Sequence, residues 1–368
     1  MSSFVSSVDT SSTSPDNTLS SDYHYVVSFP EHGLVHLIAV STDGCWLLSS
    51  SSSRTDGNLI TLTNAQDFLM CAVLDSDSIW MTCAVWASSD VFIAGFSNGD
   101  VCAGRITDRK SLRAHKLFSL SLAGGAITAL AFHRESLSVA AANAREVILV
   151  RTNLALAPER DVVIGRLKPF DMDSSITCLS LYLSANGLLG LVVGASKGLA
   201  FYVVEANKLC PIYKTREYNI GHCLTVDDGR YIIISTVDGR LIRWKLRYGS
   251  PLQASIGCFS LNGTNGFAPP IATTSIQNNI VAGTAAGDLY YLDWVTMEDC
   301  GGVSCRRWAG NMISLASHGH RLYIGATSRR MPGNSETVCY TRSITDLSQA
   351  APVVMELMAK ENAAKVQS

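Results

Sequence analysis

Two stretches of the chain have the residue types of a nucleophile elbow, G-x-S-x-G: Gly95-Phe96-Ser97-Asn98-Gly99 and Gly194-Ala195-Ser196-Lys197-Gly198. That motif needs a strand, a sharp turn and then a helix, so that the serine is lifted out and activated. Here the following residues, DVCAGRI and LAFYVV, read as strand, which leaves both motifs without their context. Cys300, Cys305, His318 and His320 invite a zinc reading, with spacing C-x4-C-x12-H-x-H. The closing H-x-H is tighter than a zinc-finger helix provides, and Gly301-Gly302 sets the two cysteines across a loop. Asp9-Thr10-Ser11 is half of an aspartic-protease motif, with no second copy to share a proton. No P-loop, HExxH or dinucleotide fingerprint occurs in its proper context. His133 and His222 lie in apolar strand-like runs, where a hydrogen-bonded structural imidazole is the simpler reading. Trp46, Trp80, Trp86, Trp244, Trp294 and Trp308 recur near strand ends and suit wedge-packing between sheets better than a ligand cage. No catalytic residue, metal ligand or cofactor is assigned.

The elements that would have to position such residues are short and recurrent. The unit is an apolar run, a polar turn, a second apolar run, a Gly- or Asn-bearing turn and a third apolar run. Its clearest copy is NIGHCLTVDDGRYIIISTVDGRLIRWKL, Asn219 to Leu246, where Asp228-Gly229 and Asp238-Gly239 are hairpin turns. Six further copies lie within 33–62, 78–106, 126–151, 176–204, 271–294 and 312–342. The second turn is marked in order by Gly57, Gly99, Asn143, Gly198, Gly239, Gly287 and Gly333. The 311 residues from 33 to 343 divide into seven units of about 44. Runs this short and β-rich disfavour a helical solenoid. A β-sandwich is the competing fold, but it has no need of seven copies of one turn pattern.

On this period and turn pattern the chain resembles the WD40 family, over residues 33 to 343. The family's closing Trp-Asp appears only as Trp244-Lys245, and Asp293-Trp294 is that pair reversed. The resemblance implies an all-β, seven-bladed β-propeller spanning residues 23–344. A fourth strand can be found after each third one, at Phe68 to Val73, Lys116 to Leu122, Val162 to Leu167, Cys210 to Lys214, Ser255 to Leu261 and Val303 to Trp308. The seventh copy lacks one, and the unassigned run Tyr23 to Phe29 fills its place, so that both chain ends lock one blade and no strand edge is left by an open ring. Residues 1–22, rich in Ser and Thr, are expected to be disordered. Residues 345–368 form a tail, with a helix from Pro352 to Val366 carrying Val354, Leu357 and Met358 as a narrow apolar stripe.

Composition bounds the partners. Apolar residues are 47% and charged residues 16% of 368, against about 25% charged in an ordinary soluble domain, as suits strands buried on both faces. Lys+Arg is 29 and Asp+Glu 31, a net charge of −2, so no basic field exists to gather nucleic acid. The most apolar run, Leu188 to Ala195, falls well short of the about 20 residues that span a bilayer. The N-terminus lacks the basic and apolar regions of a secretory signal. The eleven cysteines, an odd number spread singly, indicate a reducing compartment, cytosol or nucleus.

On a propeller, function belongs to the loops. Most copies have tight second turns. The first, Ser51 to Asp56, and the seventh, Ser328 to Glu336, are larger, and in a closed ring they are neighbours. They carry Arg54, Arg329 and Arg330, a candidate patch for acidic or phosphorylated partner segments. The first reading is a monomeric scaffold presenting loops to protein partners within a complex. A propeller hydrolase or lyase is the alternative, although the first strands, LIAV, CAVW, ALAF, CLSL and CLTV, are mostly apolar or small. A subunit of a coat- or pore-like assembly, sharing its terminal helix, is a third.

Overall fold

The computed structural model describes the strands at 5–6 and 23–28 and the span 34–341, apart from 54–56, 66–69, 77–78, 109–110, 120–124, 153–160, 172, 185, 228, 248–249, 262–267, 274–278, 305–308, 320 and 329–334. Among the described residues every regular element is a strand. Val5–Ser6 (β1) and Tyr23–Ser28 (β2) come first. Leu34–Val40, Trp46–Ser53, Gly57–Asn64 and Met70–Ser76 (β3 to β6) make the first sheet, and Met81–Trp86, Val91–Phe96, Asp100–Asp108 and Ser111–Ser119 (β7 to β10) the second. Ile127–His133, Ser138–Asn143, Val147–Arg151 and Val162–Leu167 (β11 to β14) follow, then Ile176–Leu183, Leu189–Ala195, Gly198–Glu205 and Lys208–Thr215 (β15 to β18). The fifth sheet is Ile220–Val226, Tyr231–Thr236, Arg240–Arg247 and Ser250–Ser260 (β19 to β22), and the sixth Ile271–Thr273, Asn279–Gly283, Asp288–Asp293 and Glu298–Ser304 (β23 to β26). Ala309–His318, Arg321–Ser328 and Ser335–Thr341 (β27 to β29) complete the set, and their sheet runs β1-β2-β29-β28-β27. Every pairing is antiparallel between chain neighbours except that of β2 with β29, which runs from Tyr23↔Thr341 to Ser28↔Glu336. The N-terminal run therefore occupies the fourth place in the last sheet. Val5–Ser6, from the Ser- and Thr-rich segment, pairs outside it.

Burial falls from the inner strands to the rim. The second strands β12, β16 and β24 are buried at every residue, because each has a strand on either side and a sheet over both faces. The fourth strands β14 and β18 are exposed or half-buried at all but one residue each, Ile164 and Thr215. Outer strands thus need little apolar character; hydrophobicity places Val162–Leu167 as found and Cys210 to Lys214 within Lys208–Thr215, but misplaces others. The expected Lys116 to Leu122 and Val303 to Trp308 are found instead at Ser111–Ser119 and Glu298–Ser304, where short hairpins set the register at Ser111↔Asp108 and Glu298↔Asp293.

The turns follow the residues that can make them. Gly99, Gly239 and Gly287 adopt φ of 84°, 84° and 89° at the second turn of their sheets, a region glycine enters without a Cβ penalty. Asn143 does the same work differently: its Oδ1 accepts from Arg145 and Glu146 amides at 2.9 and 2.8 Å, an Asx turn.

Among the described residues the buried apolar side chains form seven clusters, and each spans two sheets. The largest joins the third and fourth through Leu149, Ile164, Leu181 and Val193. The smallest, Ile38, Leu47, Ala65 and Tyr323, joins the first sheet to the last. Hydrogen bonds cross the same seams. Trp86 Nε1 donates to Ala39 O at 3.1 Å, Ser235 Oγ to Pro269 O at 2.7 Å and Arg243 Nη1 to Trp294 O at 3.2 Å. Between the last and first sheets, Ile38 N donates to Ser314 Oγ at 3.0 Å and Arg321 Nη1 to Ala65 O at 2.7 Å. The expected helix from Pro352 to Val366 lies outside the described residues.

Candidate functional site

In the second, fourth and fifth sheets the hairpin joining the second to the third strand lies beside the segment that leads into the first strand. Ser97 N donates to Trp80 O at 2.9 Å, and Trp80 N donates back to Ser97 Oγ at 3.1 Å. Ser196 and Ser175 make the same reciprocal pair at 2.9 and 3.0 Å. In the fifth sheet Val237 N donates to Asn219 O at 3.0 Å, with no hydroxyl to return the bond. The serines of both elbow-like motifs are therefore staples that tie a hairpin to the segment before the first strand. Each is followed by a strand, β9 or β17, where an elbow would need a helix.

Arg54, Arg329 and Arg330 lie outside the described residues. The strands around them are described: Ser53 pairs with Gly57 and Thr327 with Ser335. The flanking strands, β4 with β5 and β28 with β29, are the second and third strands of two sheets that pack together through β3 and β27. The first connection is shorter than expected, since Ser51, Ser52 and Ser53 are strand residues paired with Leu59, Asn58 and Gly57. Sequence reasoning missed another feature at this end, in the next sheet. Ile79 and Trp80 are 36% and 42% exposed, whereas Trp86, Trp244 and Trp294 are buried between sheets as expected. The backbone staple to Ser97 holds Trp80 in place, and large exposed apolar side chains of this kind mark contact surfaces. Trp308 lies outside the described residues.

The polar groups of the first strands serve geometry. In six of the seven sheets the first strand shifts register near its start, as between Met81 and Cys83, Ile127 and Ala129, Ile176 and Cys178, and Ile220 and His222. A bulge leaves a second-strand carbonyl without its ladder partner. Thr82 and Thr177 donate to those carbonyls, Gly95 O at 3.0 Å and Gly194 O at 3.3 Å, and Thr177 also reaches Ile220 O of the next sheet at 2.7 Å. The triplets Met81-Thr82-Cys83, Ile127-Thr128-Ala129 and Ile176-Thr177-Cys178 were the sequence signal for this.

Electrostatics at the same strands oppose nucleophilic chemistry. Burial pushes the Cys83 thiol up to about 12. The neighbouring Cys178 thiol, together with burial, pushes Cys223 well above the ordinary thiol range. Neither supplies a thiolate at neutral pH. Burial holds His222 down to about 4, so its imidazole is neutral. His133 has the hydrogen-bonded structural role expected of it, with Nδ1 3.0 Å from Ser136 Oγ. His133 is lowered by burial, with Glu135 opposing. Among the described residues no three His, Cys, Asp or Glu side chains gather in a way that could hold a metal. Cys305 and His320 lie outside them, and His318 packs its ring over the Cα of Gly44.

No family model and no curated protein matches the chain. Among solved structures it is similar to Raptor from Chaetomium thermophilum, with a TM-score of 0.65 and 11% identity over 85% of this chain. The match spans 28% of that protein's chain, and identity this low concerns the fold alone. In all, 1619 solved chains match, so shared architecture discriminates poorly among functions. No helix among the described residues is long and apolar enough to cross a membrane.

Proposed function

We propose that the chain is a closed, seven-bladed, WD40-like β-propeller acting as a non-catalytic scaffold for protein partners in the cytosol or nucleus. The observation that carries this reading is cyclic contiguity. Each first strand, β3, β7, β11, β15, β19, β23 and β27, packs against the next, and β27 packs against β3. The seven apolar clusters follow the same cycle, and the likeness to a solved structure supports it. A ring tied at every seam is rigid, so binding falls to the hairpin end. The serines of the elbow-like motifs are committed to backbone staples, and the buried thiols of Cys83 and Cys223 are held protonated, which weakens the hydrolase alternative.

The binding face spans three consecutive sheets, the seventh, first and second. Arg54, Arg329 and Arg330 supply bidentate donors for carboxylate or phosphate, and Trp80 supplies the aromatic anchor around which interface energy concentrates. The partner is an acidic or phosphorylated segment with an apolar residue. The test is affinity capture from native extract with wild type, the Arg54→Glu/Arg329→Glu/Arg330→Glu triple variant and Trp80→Ala. A partner held by wild type and lost from both variants, with unchanged circular dichroism, supports the reading. Equal capture by all three overturns the face, and turnover by the purified protein overturns the scaffold.

A further inference from the structure

We propose that the free edge of β14, the outer strand of the third sheet, is a second docking site, which takes an extended acidic segment of a partner protein by strand addition. The proposal rests on the scaffold reading but uses a different surface. The third sheet ends at β14, in the order β11-β12-β13-β14, so among the described residues no strand pairs with the outward amides and carbonyls of β14. Val162 and Val163, at 56% and 53%, are the two most exposed large apolar side chains among the described residues, and they are consecutive.

Their placement suits an added strand. Val162 pairs with Arg151 and Val163 with Val150 in regular register, ahead of the shift that falls between Val150 and Leu149. Val150 belongs to the cluster facing the second sheet, and Ile164 to the one facing the fourth. Consecutive residues point to opposite faces, so each face of β14 has an apolar position that one incoming strand would cover. Exposed edges are normally guarded by Lys or Pro. The neighbouring outer strand β18 follows this rule: its exposed residues are Lys208, Pro211 and Lys214. β14 has no Pro and no Lys, and its exposed residues are Val162, Val163 and Arg166.

Charge selects the occupant. Arg151, Arg166 and Lys168 are exposed around this edge, on both faces, and the exposed residues of β14 include no acid. An extended segment alternating aliphatic with Asp or Glu residues satisfies the edge, the valines and the cations together. The molecule contains one strand added outside a fourth strand already, β1 on β2.

The probe is a fluorescein-labelled heptapeptide of alternating Glu and Val, with a Lys and Val counterpart as control, titrated by anisotropy against the full chain. Saturable binding of the acidic peptide, weakened at least tenfold by Val162→Asp/Val163→Asp, unchanged by the Arg54, Arg329 and Arg330 reversal and absent for the basic peptide, is the expected result. Both edge substitutions are at the surface, and an unchanged melting temperature checks the fold. No saturable binding, or binding indifferent to the edge variant, overturns the proposal. If hairpin-face capture persists while the peptide fails, only the edge site falls; if both fail, the scaffold reading falls with it.

Discussion

Arg321 is the most direct probe of ring closure. Its Nη1 donates to the carbonyl of Ala65 at 2.7 Å, joining the last sheet to the first. Ala65 is fully buried, so its carbonyl has no access to water if the bond is lost. A hydrogen bond from a charged donor contributes about 1.5–3 kcal/mol, and a buried carbonyl left unpaired costs about 1–3 kcal/mol. These are two descriptions of one loss. Arg321→Ala therefore costs about 2 kcal/mol, which in a domain of this size lowers the melting temperature by roughly 4 °C. Arg216→Ala is the control. Its ion pair with Asp171 has side chains 66% and 71% exposed, and a pair so solvated contributes about 0–1 kcal/mol. Thermal unfolding followed by tryptophan fluorescence compares the two. Equal melting temperatures for the Arg321 and Arg216 variants would refute the claim that the last sheet is fastened to the first.

Thr177→Val removes a hydroxyl from both Gly194 O and Ile220 O and should cost about 1–2 kcal/mol, while Thr177→Ser stays near wild type; urea unfolding measures both. Gly198→Ala should destabilise far more than Gly187→Ala in the same melts, because a Cβ at 198 lies 2.3 Å from Thr215 O whereas a Cβ at 187 meets nothing within 4 Å. Acid sensitivity should trace to His222. Below about pH 6.5 the unfolded chain takes up a proton that the folded imidazole, held at about 4, refuses, so stability falls as pH drops through that window. His222→Gln should flatten the slope of melting temperature against pH, leaving a remainder of the same sign from His133. A slope unchanged by His222→Gln would show that this imidazole is not the sensor.

The local alternation of apolar and polar residues and the turn glycines already determined much of this protein. They marked strands of the right kind in seven copies, and they placed Tyr23–Ser28 in the gap left by the last copy, where it pairs with Ser335–Thr341. Such features depend on chain-local sterics and on period, which a sequence carries by itself. Three others depended on which sheet covers which. Trp80 and Trp86 are six residues apart, both near the start or end of β7, yet only Trp86 has the first sheet to receive its Nε1–H. Ser97 and Ser196 had the types and spacing of nucleophiles, and only the neighbouring entry segments turned them into staples. The fourth strand Val162–Leu167 lies where its apolar residues placed it, but only the packing of the sheets left Val162 and Val163 exposed. Burial is a property of pairs of sheets, so composition could mark these side chains as capable of chemistry or contact, but only the packing decided which of them reach solvent.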